Sequence, residues 1–582
     1  MIATLIALSA FGWANDVEAE AAPSAPSVLA RYDLSRTIPS FDGGGFEETM
    51  LLTAGSDIEI QRSNIEELYQ VEGSDVIVDL ITRLYAEEFE YEGREILMQN
   101  EDEMLVFAPT ELQERIRESV VRLERALSTP VELQIDVLSL PGDGPAPFGG
   151  QGLVDESQLA GLPGGSPGQN KASYSVRMFA GRTSVLNLMR AVPMVVDYDV
   201  EIAQGASIHD PIIGAAEVGT RLFLRGAPTK GGIALSVYYT HGQGLQDQPV
   251  SVEAPLRSYV SKEGGGGEFV DSPGITERMD VAFRSAAFNT FLPAGKAIVM
   301  SSSLDMNGAK SREVVVIRRT GGELTRYHRF APAGTKRELV IVNAEALSVP
   351  EIEMDGRLLA HEGFAQGMLP MLRAQLRAQP SEFLMDWASN RFSTWRTMGP
   401  WLLCIFDPQW DDDAVTQLEA LLDGWKEGVR VVDVSLAVRS NGHGGTEPAS
   451  FHMPARAGSE CGGVLGVSST ALADYDVEVA QFSATADAQH APVFSGLAFR
   501  ARPSLSGGGN LGVDLDAAAH LRRGGIRTFQ TGGPAITRIE EWTFDRMRVS
   551  DRVAADGGGR FVLGDKGAGT PGAGLALHLG LR

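Results

Sequence analysis

Asp197, Asp199 and Glu201 alternate along a run that reads as a strand, so their carboxylates share one face with adjacent members about 6 to 7 Å apart. Carboxylates at that separation are what inverting glycosidases use, one as acid and one as base for a water. The same letters return at Asp474, Asp476 and Glu478. Tyr198, Val200 and Ile202 fall on the opposite face, and an amphipathic strand with a solvated acidic side accounts for the pattern without any chemistry. Asp411, Asp412 and Asp413 suggest a calcium loop, but they sit in the first turn of an expected helix, where negative charge favours the macrodipole. His209, His241, His443 and His520 are scattered, with no nucleophile arrangement near them. Gly567-Ala568-Gly569-Thr570-Pro571-Gly572 fits the dinucleotide fingerprint in letters alone, because no βαβ unit surrounds it. On these grounds no catalytic, cofactor-binding or metal-ligating residue is assigned.

The elements that would position these groups are organised by an internal repeat. Asp197-Tyr198-Asp199-Val200-Glu201-Ile202-Ala203-Gln204 returns 277 residues later as Asp474-Tyr475-Asp476-Val477-Glu478-Val479-Ala480-Gln481. At the same offset Ala172-Ser173-Tyr174 matches Ala449-Ser450-Phe451, and Gly219 matches Gly496. Upstream, Ile135-Asp136-Val137 answers Val432-Asp433-Val434 at 297, and Phe107-Ala108-Pro109 answers Phe406-Asp407-Pro408 at 299. Downstream, Ile275-Thr276 and Phe283 align with Ile536-Thr537 and Phe544 at 261. A period of this size is too long for a solenoid and implies two copies of a domain-sized unit. The fall from 297 to 277 gives the first copy 20 extra residues in the Gly/Pro-rich stretch 142–170, expected to be a mobile surface loop.

Composition bounds the partners. The 582 residues, 43% hydrophobic and 22% charged, suffice for about four globular domains. A net charge of −26 opposes binding to phosphate backbones and gives no attraction to anionic lipid. Residues 1–14 form an apolar run of signal-peptide length without a basic leading region, followed by small residues and prolines that suit cleavage and a linker. No later run reaches the roughly 18 apolar residues of a membrane helix. Cys404 and Cys461 are the only cysteines; Cys404, aligned with Leu105, reads as a small core side chain, and nothing in the sequence brings the two together.

The fold class expected is α+β, with two tandem repeats of a small helix-strand-strand-helix module followed by a β-rich antiparallel domain. In the first copy Ser74 can cap a helix bearing Ile77, Leu80, Ile81, Leu84 and Tyr85 on one face. Strands at 94–98 and 104–107 follow, and Thr110 with Gln113 offers a capping box for a helix carrying Ile116, Val120, Leu123 and Leu127. The second copy repeats this with a helix around 368–376, a strand at 401–406 and a helix bearing Val415, Leu418 and Leu421. In each β-rich half the octapeptide strand, a short apolar strand (222–224 or 497–499), a turn and another strand are expected. The divisions are 1–14 signal peptide, 15–28 linker, 29–128 first module, 129–330 first β-rich domain, 331–337 linker, 338–424 second module and 425–582 second β-rich domain.

Asp79-Leu80-Ile81-Thr82 and Met104-Leu105-Val106-Phe107 before an amphipathic helix resemble the ring-building periplasmic modules of secretins. Pro130-Val131-Glu132-Leu133-Gln134-Ile135-Asp136-Val137 resembles the strand that opens their β-domain. Asp197 to Gln204, with Asp210-Pro211, Gly219 and Pro228, is similar to the sheet of divergent secretin-related envelope proteins of planctomycete-type bacteria. The resemblance implies a non-enzymatic exported protein, in the periplasm or associated with the outer membrane. It would act by association with envelope proteins, itself included, in a secretion or transport assembly, with no cofactor and no nucleic acid. The alternative is a protein that binds or hydrolyses envelope polysaccharide through its acidic strand faces. The Val-Pro-x-Leu-Gly segment of the family is missing, and few strands of about 9 to 11 residues offer an apolar outer face, so a soluble protein that forms no pore is expected.

Overall fold

The computed structural model describes residues 26–34, 45–48, 73–343, 372–375, 382–421 and 430–581, apart from short interruptions of which 162–169, 441–447, 530–538 and 565–574 are the longest. The apolar run of signal-peptide length, Asp411, Asp412, His443 and the glycine-rich 567–572 lie outside the described residues.

The first small module contains β1 (Ser27–Asp33), β2 (Gly45–Glu48), α1 (Gly73–Leu84), α2 (Ala86–Phe89), β3 (Glu95–Asn100), β4 (Glu103–Pro109) and α3 (Thr110–Leu127). Antiparallel pairing puts β1, β4 and β3 in that order. The periodic residues of α1 and α3 named from sequence are all buried. The expected capping box does not form: Pro109 occupies the cap position with no side-chain hydrogen bond. Gln113 turns inward instead, its Nε2 donating to the carbonyls of Val106 (2.7 Å) and Val28 (3.0 Å) while its Oε1 accepts from the Tyr32 hydroxyl (2.6 Å). A buried amide must be satisfied, and here the sheet supplies the partners. Beside it, Arg115 (2.8 Å) and Arg94 converge on Glu88 and hold its carboxyl below the usual carboxylate range.

The alternating Val131, Leu133, Ile135 and Val137 form one buried face of β5 (Pro130–Pro141). Then come β6 (Leu153–Asp155), β7 (Asn170–Phe179), β8 (Thr183–Ala203), β9 (Ala206–Thr229) and β10 (Gly232–Gly244). Two short pairs follow, β11 (Val250–Glu253) with β14 (Ile275–Arg278) and, between them, β12 (Leu256–Ser261) with β13 (Gly267–Ser272). This region closes with β15 (Val281–Pro293), β16 (Lys296–Met306) and β17 (Ala309–Gly322).

The second small module has β18 (Tyr327–Phe330), β19 (Glu338–Asn343), β20 (Leu372–Gln375), α4 (Glu382–Ser389), β21 (Thr394–Met398) and β22 (Trp401–Phe406), with sheet order β18-β19-β22-β21. Residues 414, 416–418, 420 and 421 are helical. The helix expected around 368–376 is corrected: Leu372–Gln375 is a strand paired with β2. Pro370 lies inside that run and removes a donor a helix would need.

The remaining strands are β23 (Val431–Ser440), β24 (Ala449–Arg456), β25 (Cys461–Ala480), β26 (Ser483–Leu505), β27 (Leu511–Arg522), β28 (Arg527–Phe529), β29 (Ile539–Glu541), β30 (Phe544–Ala555), β31 (Gly559–Gly564) and β32 (Leu575–Leu581). Two large antiparallel sheets result. One runs β8-β9-β10-β15-β25-β26-β27-β30, with β12 and β13 added along the start of β26. The other runs β31-β32-β23-β24-β16-β17-β5-β7, with β6 on β16. Their inner faces share one hydrophobic cluster that includes Leu133, Ile317, Val434 and Phe451 from the second sheet and Leu235, Phe288, Leu465 and Phe499 from the first. The described residues are therefore mostly antiparallel sheet, and the α-helices among them lie in the small modules.

Two expectations about the strands are overturned. The octapeptide strand and the apolar strand after Gly219 are not short separate pieces but parts of hairpins whose strands hold 21 and 24 residues (β8, β9) and 20 and 23 residues (β25, β26). Each strand is thus about twice the span sought for a bilayer. Gly219 does not break β9. Its φ is 127°, and a Cβ added there would lie 2.2 Å from the Leu188 carbonyl, so only glycine is tolerated at this point of the paired strand. At Gly496 an added Cβ would likewise lie 2.2 Å from the Leu465 carbonyl. The insertion at 142–170 is also not a free loop. Leu153–Asp155 pairs with Lys296, Ala297 and Ile298 of β16, Val154 is buried against Ala297 and Val299, and Asp155 meets Lys296 at 2.7 Å.

Gly219→Ala and Gly496→Ala are each expected to cost about 1 to 3 kcal/mol in urea unfolding; losses below about 0.5 kcal/mol would show that the strands are not held this closely. Val154→Asp places an unpaired charge in the cluster beneath β6 and is expected to cost roughly 3 kcal/mol. Deleting 145–165 should lower the melting temperature in scanning calorimetry as well, and an unchanged value would return the segment to the surface loops.

Candidate functional site at the junction of the strand blocks

Small side chains open the junction. β25 begins Cys461-Gly462-Gly463, and β15 presents Ala282, Ala286 and Ala287, so the strands pair from Val281 against Ser468 to Phe288 against Cys461. A Cβ on Gly463 would lie 2.9 Å from the Ser285 carbonyl and 3.0 Å from the Phe451 ring, which reaches across from the other sheet. In the second sheet β16 meets β24 through Ser301 to Leu304 against His452 to Ala449. The Gly152 N–H beside β6 donates to Asp433 Oδ1 of β23 at 3.0 Å, so the insertion ties across this second junction.

Carboxylates fix the registers. Each long hairpin shifts register by one residue immediately before its octapeptide, between Val195 and Asp197 in β8 and between Leu472 and Asp474 in β25. At each shift a backbone N–H is met by a glutamate: Val195 donates to Glu277 at 2.9 Å, and Leu472 donates to Glu540 at 3.2 Å. Glu540 is buried and also pairs with Arg278 of β14 at 3.4 Å, while the Ser469 hydroxyl of β25 donates to Asp280. The two glutamates stand 263 residues apart, two residues out of step with the offset of 261 read from the strings. A second polar cluster lies between the sheets. Arg284, Tyr239 and Glu313 are buried, His241 Nε2 is 3.5 Å from Glu313, and Arg284 donates to the Ser311 hydroxyl. Burial raises the Tyr239 hydroxyl well above its ordinary range, and the neighbouring Glu313 adds to the effect.

Among the described residues, those weighed from sequence do not converge on a catalytic centre. Asp199 is exposed on β8 directly opposite exposed Asp210 of β9, and Asp476 stands opposite Asp487 in β25 and β26. The Tyr198 hydroxyl donates to the Ile275 carbonyl at 2.8 Å, so the apolar side of the octapeptide ties β8 to β14. The side chains of Asp197, Glu201 and the second octapeptide are outside the described residues. His520 is buried, bonded through Nδ1 to the Phe494 carbonyl at 3.1 Å and stacked on Phe544. Cys404 and Cys461 are buried free thiols in different clusters, and burial pushes Cys461 up to about 12. Among the described residues no group of three His, Cys, Asp or Glu is placed to hold a metal ion. No helix among them is long and apolar enough to cross a membrane. A groove of about 760 Å³ lies instead between α3 and β18, lined by Glu114, Arg117, Arg125 and His328, with Arg122 over the Phe330 ring. Neither the paired registers nor Glu277 and Glu540 carried a sequence signal of their own, since the offset of 261 sets Glu277 against Arg538 rather than Glu540.

No family model and no curated protein matches the chain. Among solved structures it is similar to Aeromonas hydrophila ExeD, at 12% identity and a TM-score of 0.19, over 43% of this chain and 59% of that one. The type II secretin GspD from enteropathogenic Escherichia coli is similar at 12% identity and a TM-score of 0.18, over 42% of this chain and 84% of that one. The β-barrel secretin domain of InvG from the Salmonella SPI-1 injectisome is similar at 13% identity and a TM-score of 0.17, over 52% of this chain and 90% of that one. The chain thus spans less than two thirds of the ExeD chain.

Glu540→Ala removes the acceptor of a buried N–H and the partner of Arg278, and is expected to cost about 2 kcal/mol in urea unfolding. Glu277→Ala, at the more open site, should cost about half as much, near 1 kcal/mol. Equal losses at the two sites would show that burial does not set the cost.

Proposed function

We propose that the chain is a non-enzymatic, exported envelope protein with secretin-like modules, a protein-association or scaffold component of a secretion or transport assembly. The observation that carries this reading is the reuse of a four-strand block. β8-β9-β10-β15 is followed in its sheet by β25-β26-β27-β30, and β31-β32-β23-β24 by β16-β17-β5-β7. In each sheet the last strand of one block pairs with the first strand of the other, so strand pairing between like units is the chain's own means of association.

Two tandem copies, divided as the sequence suggests, are supported by the repeated strings 277 residues apart and by the matching register shifts at Val195 and Leu472. Such a protein works in the periplasm or at the outer membrane, with envelope proteins and further copies of itself as partners. The lengths of β8, β9, β25 and β26 favour a second reading, in which assembled hairpins line a channel.

The chain lacking residues 1–14 is expected to run as a large, heat-resistant multimer in size-exclusion chromatography with light scattering. A strict monomer at micromolar concentration would count decisively against the assembly reading. Conductance of the purified multimer across a lipid bilayer separates channel lining from scaffolding.

A further inference from the structure

The groove of about 760 Å³ runs between α3 of the first module and β18 of the second. Its strand wall is the outermost strand of a sheet. In the described ladders β18 pairs with β19 alone, at the end of the order β18-β19-β22-β21. Successive side chains of a strand point to opposite faces, yet His328, Arg329 and Phe330 all line the groove. The groove therefore follows the edge of β18, where backbone donors and acceptors are presented, rather than one of its faces.

The helix wall is the exposed side of α3, opposite the buried Ile116, Val120 and Leu123. Part of its charge is already matched. Arg122 donates to Glu118 through Nε (3.0 Å) and Nη2 (2.6 Å), and on the strand wall Arg329 is paired with Glu338. Arg117 and Arg125 have no carboxylate partner among the described residues, and between them Val121 is 48% exposed. At positions i, i+4 and i+8 the three residues form one stripe along the helix, with the two arginines rooted about 12 Å apart. Only Glu114 opposes them, so the unmatched charge of the groove is positive in a chain whose net charge is −26.

A strand edge facing a helix is a setting in which an extended peptide adds a strand, its backbone pairing with the edge and its alternate side chains giving specificity. We propose that this groove is the docking site for an extended acidic segment of a partner protein, which adds beside β18 and sets an acidic, an apolar and an acidic residue, two positions apart, against the Arg117, Val121 and Arg125 stripe. Three such side chains share one face of a strand, and the outer two lie about 14 Å apart, close to the spacing of the arginines. Guanidinium groups suit carboxylates in particular, which they can meet through two parallel hydrogen bonds. An anionic bilayer surface is a poor occupant, because the acidic chain as a whole is not drawn to it and it offers no backbone to an edge strand. The site stands on the groove alone and does not depend on the assembly reading.

The probe is a fluorescein-labelled peptide, Ser-Glu-Ser-Leu-Ser-Glu-Ser, titrated with the full chain and read by fluorescence anisotropy, with circular dichroism to show that each variant folds. The peptide is expected to bind, and Arg117→Glu combined with Arg125→Glu to weaken that binding about tenfold or more. A peptide with lysine in place of each glutamate should show the reverse preference, binding the double variant and not the parent. Methylating the peptide's backbone nitrogens at every second residue separates strand addition from charge attraction: one of the two alternate sets should abolish binding and the other should leave it. No binding to the parent, equal binding to the double variant, or an equal effect of the two methylation sets overturns the docking site. A double variant whose sedimentation changes while the parent binds no peptide assigns the groove to a contact between copies and overturns it as well. None of these outcomes removes the scaffold reading.

Discussion

An antiparallel strand edge presents a row of backbone donors and acceptors that must be met, and in this chain one block of strands meets the edge of the next. The pairing of β15 with β25 and of β16 with β24 turns two four-strand blocks into two continuous sheets that share a core. Everything else is arranged to let those edges meet. Gly462, Gly463 and the alanines of β15 keep side chains out of the way, and the insertion carrying β6 lies over the β16 junction rather than in solvent.

Pairing alone does not choose a register, and a slip of one residue would turn every side chain of a strand to the wrong face. The polar residues buried along the hairpins make that choice. Glu277 and Glu540 are useful only where the ladder releases an N–H, which happens at the shifts before the octapeptides. Arg284, Tyr239, His241 and Glu313 act similarly between the sheets, since charged groups buried there are tolerated only while they face one another. Asp199 of the first octapeptide is left to solvent by this arrangement. Asp199 faces Asp210 on an open hairpin surface, a poor setting for the enclosed acid and base that glycoside hydrolysis requires.

The small modules obey the same rule with faces in place of edges. α1 is apolar enough to be buried on two sides, and the second sheet takes the side that its own sheet does not. Among the described residues one sheet face is left over, which is where Leu29, Leu97 and Phe107 stand exposed. The net charge of −26 opposes non-specific association of copies through such apolar surface.

Sequence by itself determined the elements whose pattern is local. The helical faces of α1 and α3 and the alternation of β5 follow from side-chain periodicity, which the backbone geometry imposes residue by residue, and the strand at Trp401–Phe406 from an unbroken apolar run. It also determined that equivalent strings recur 277 residues apart. Tertiary structure decided what depends on partners far along the chain. Gly219 reads as a break, yet it lies inside a strand because Leu188 comes too close for any Cβ. Gln113 reads as half of a cap, yet it turns inward because two carbonyls and Tyr32 await it. Val154 sits in a Gly/Pro-rich stretch, yet it is buried because β16 offers an edge. Strand order, register and the uncovered sheet face are relations between distant segments, and no local pattern of residues encodes them.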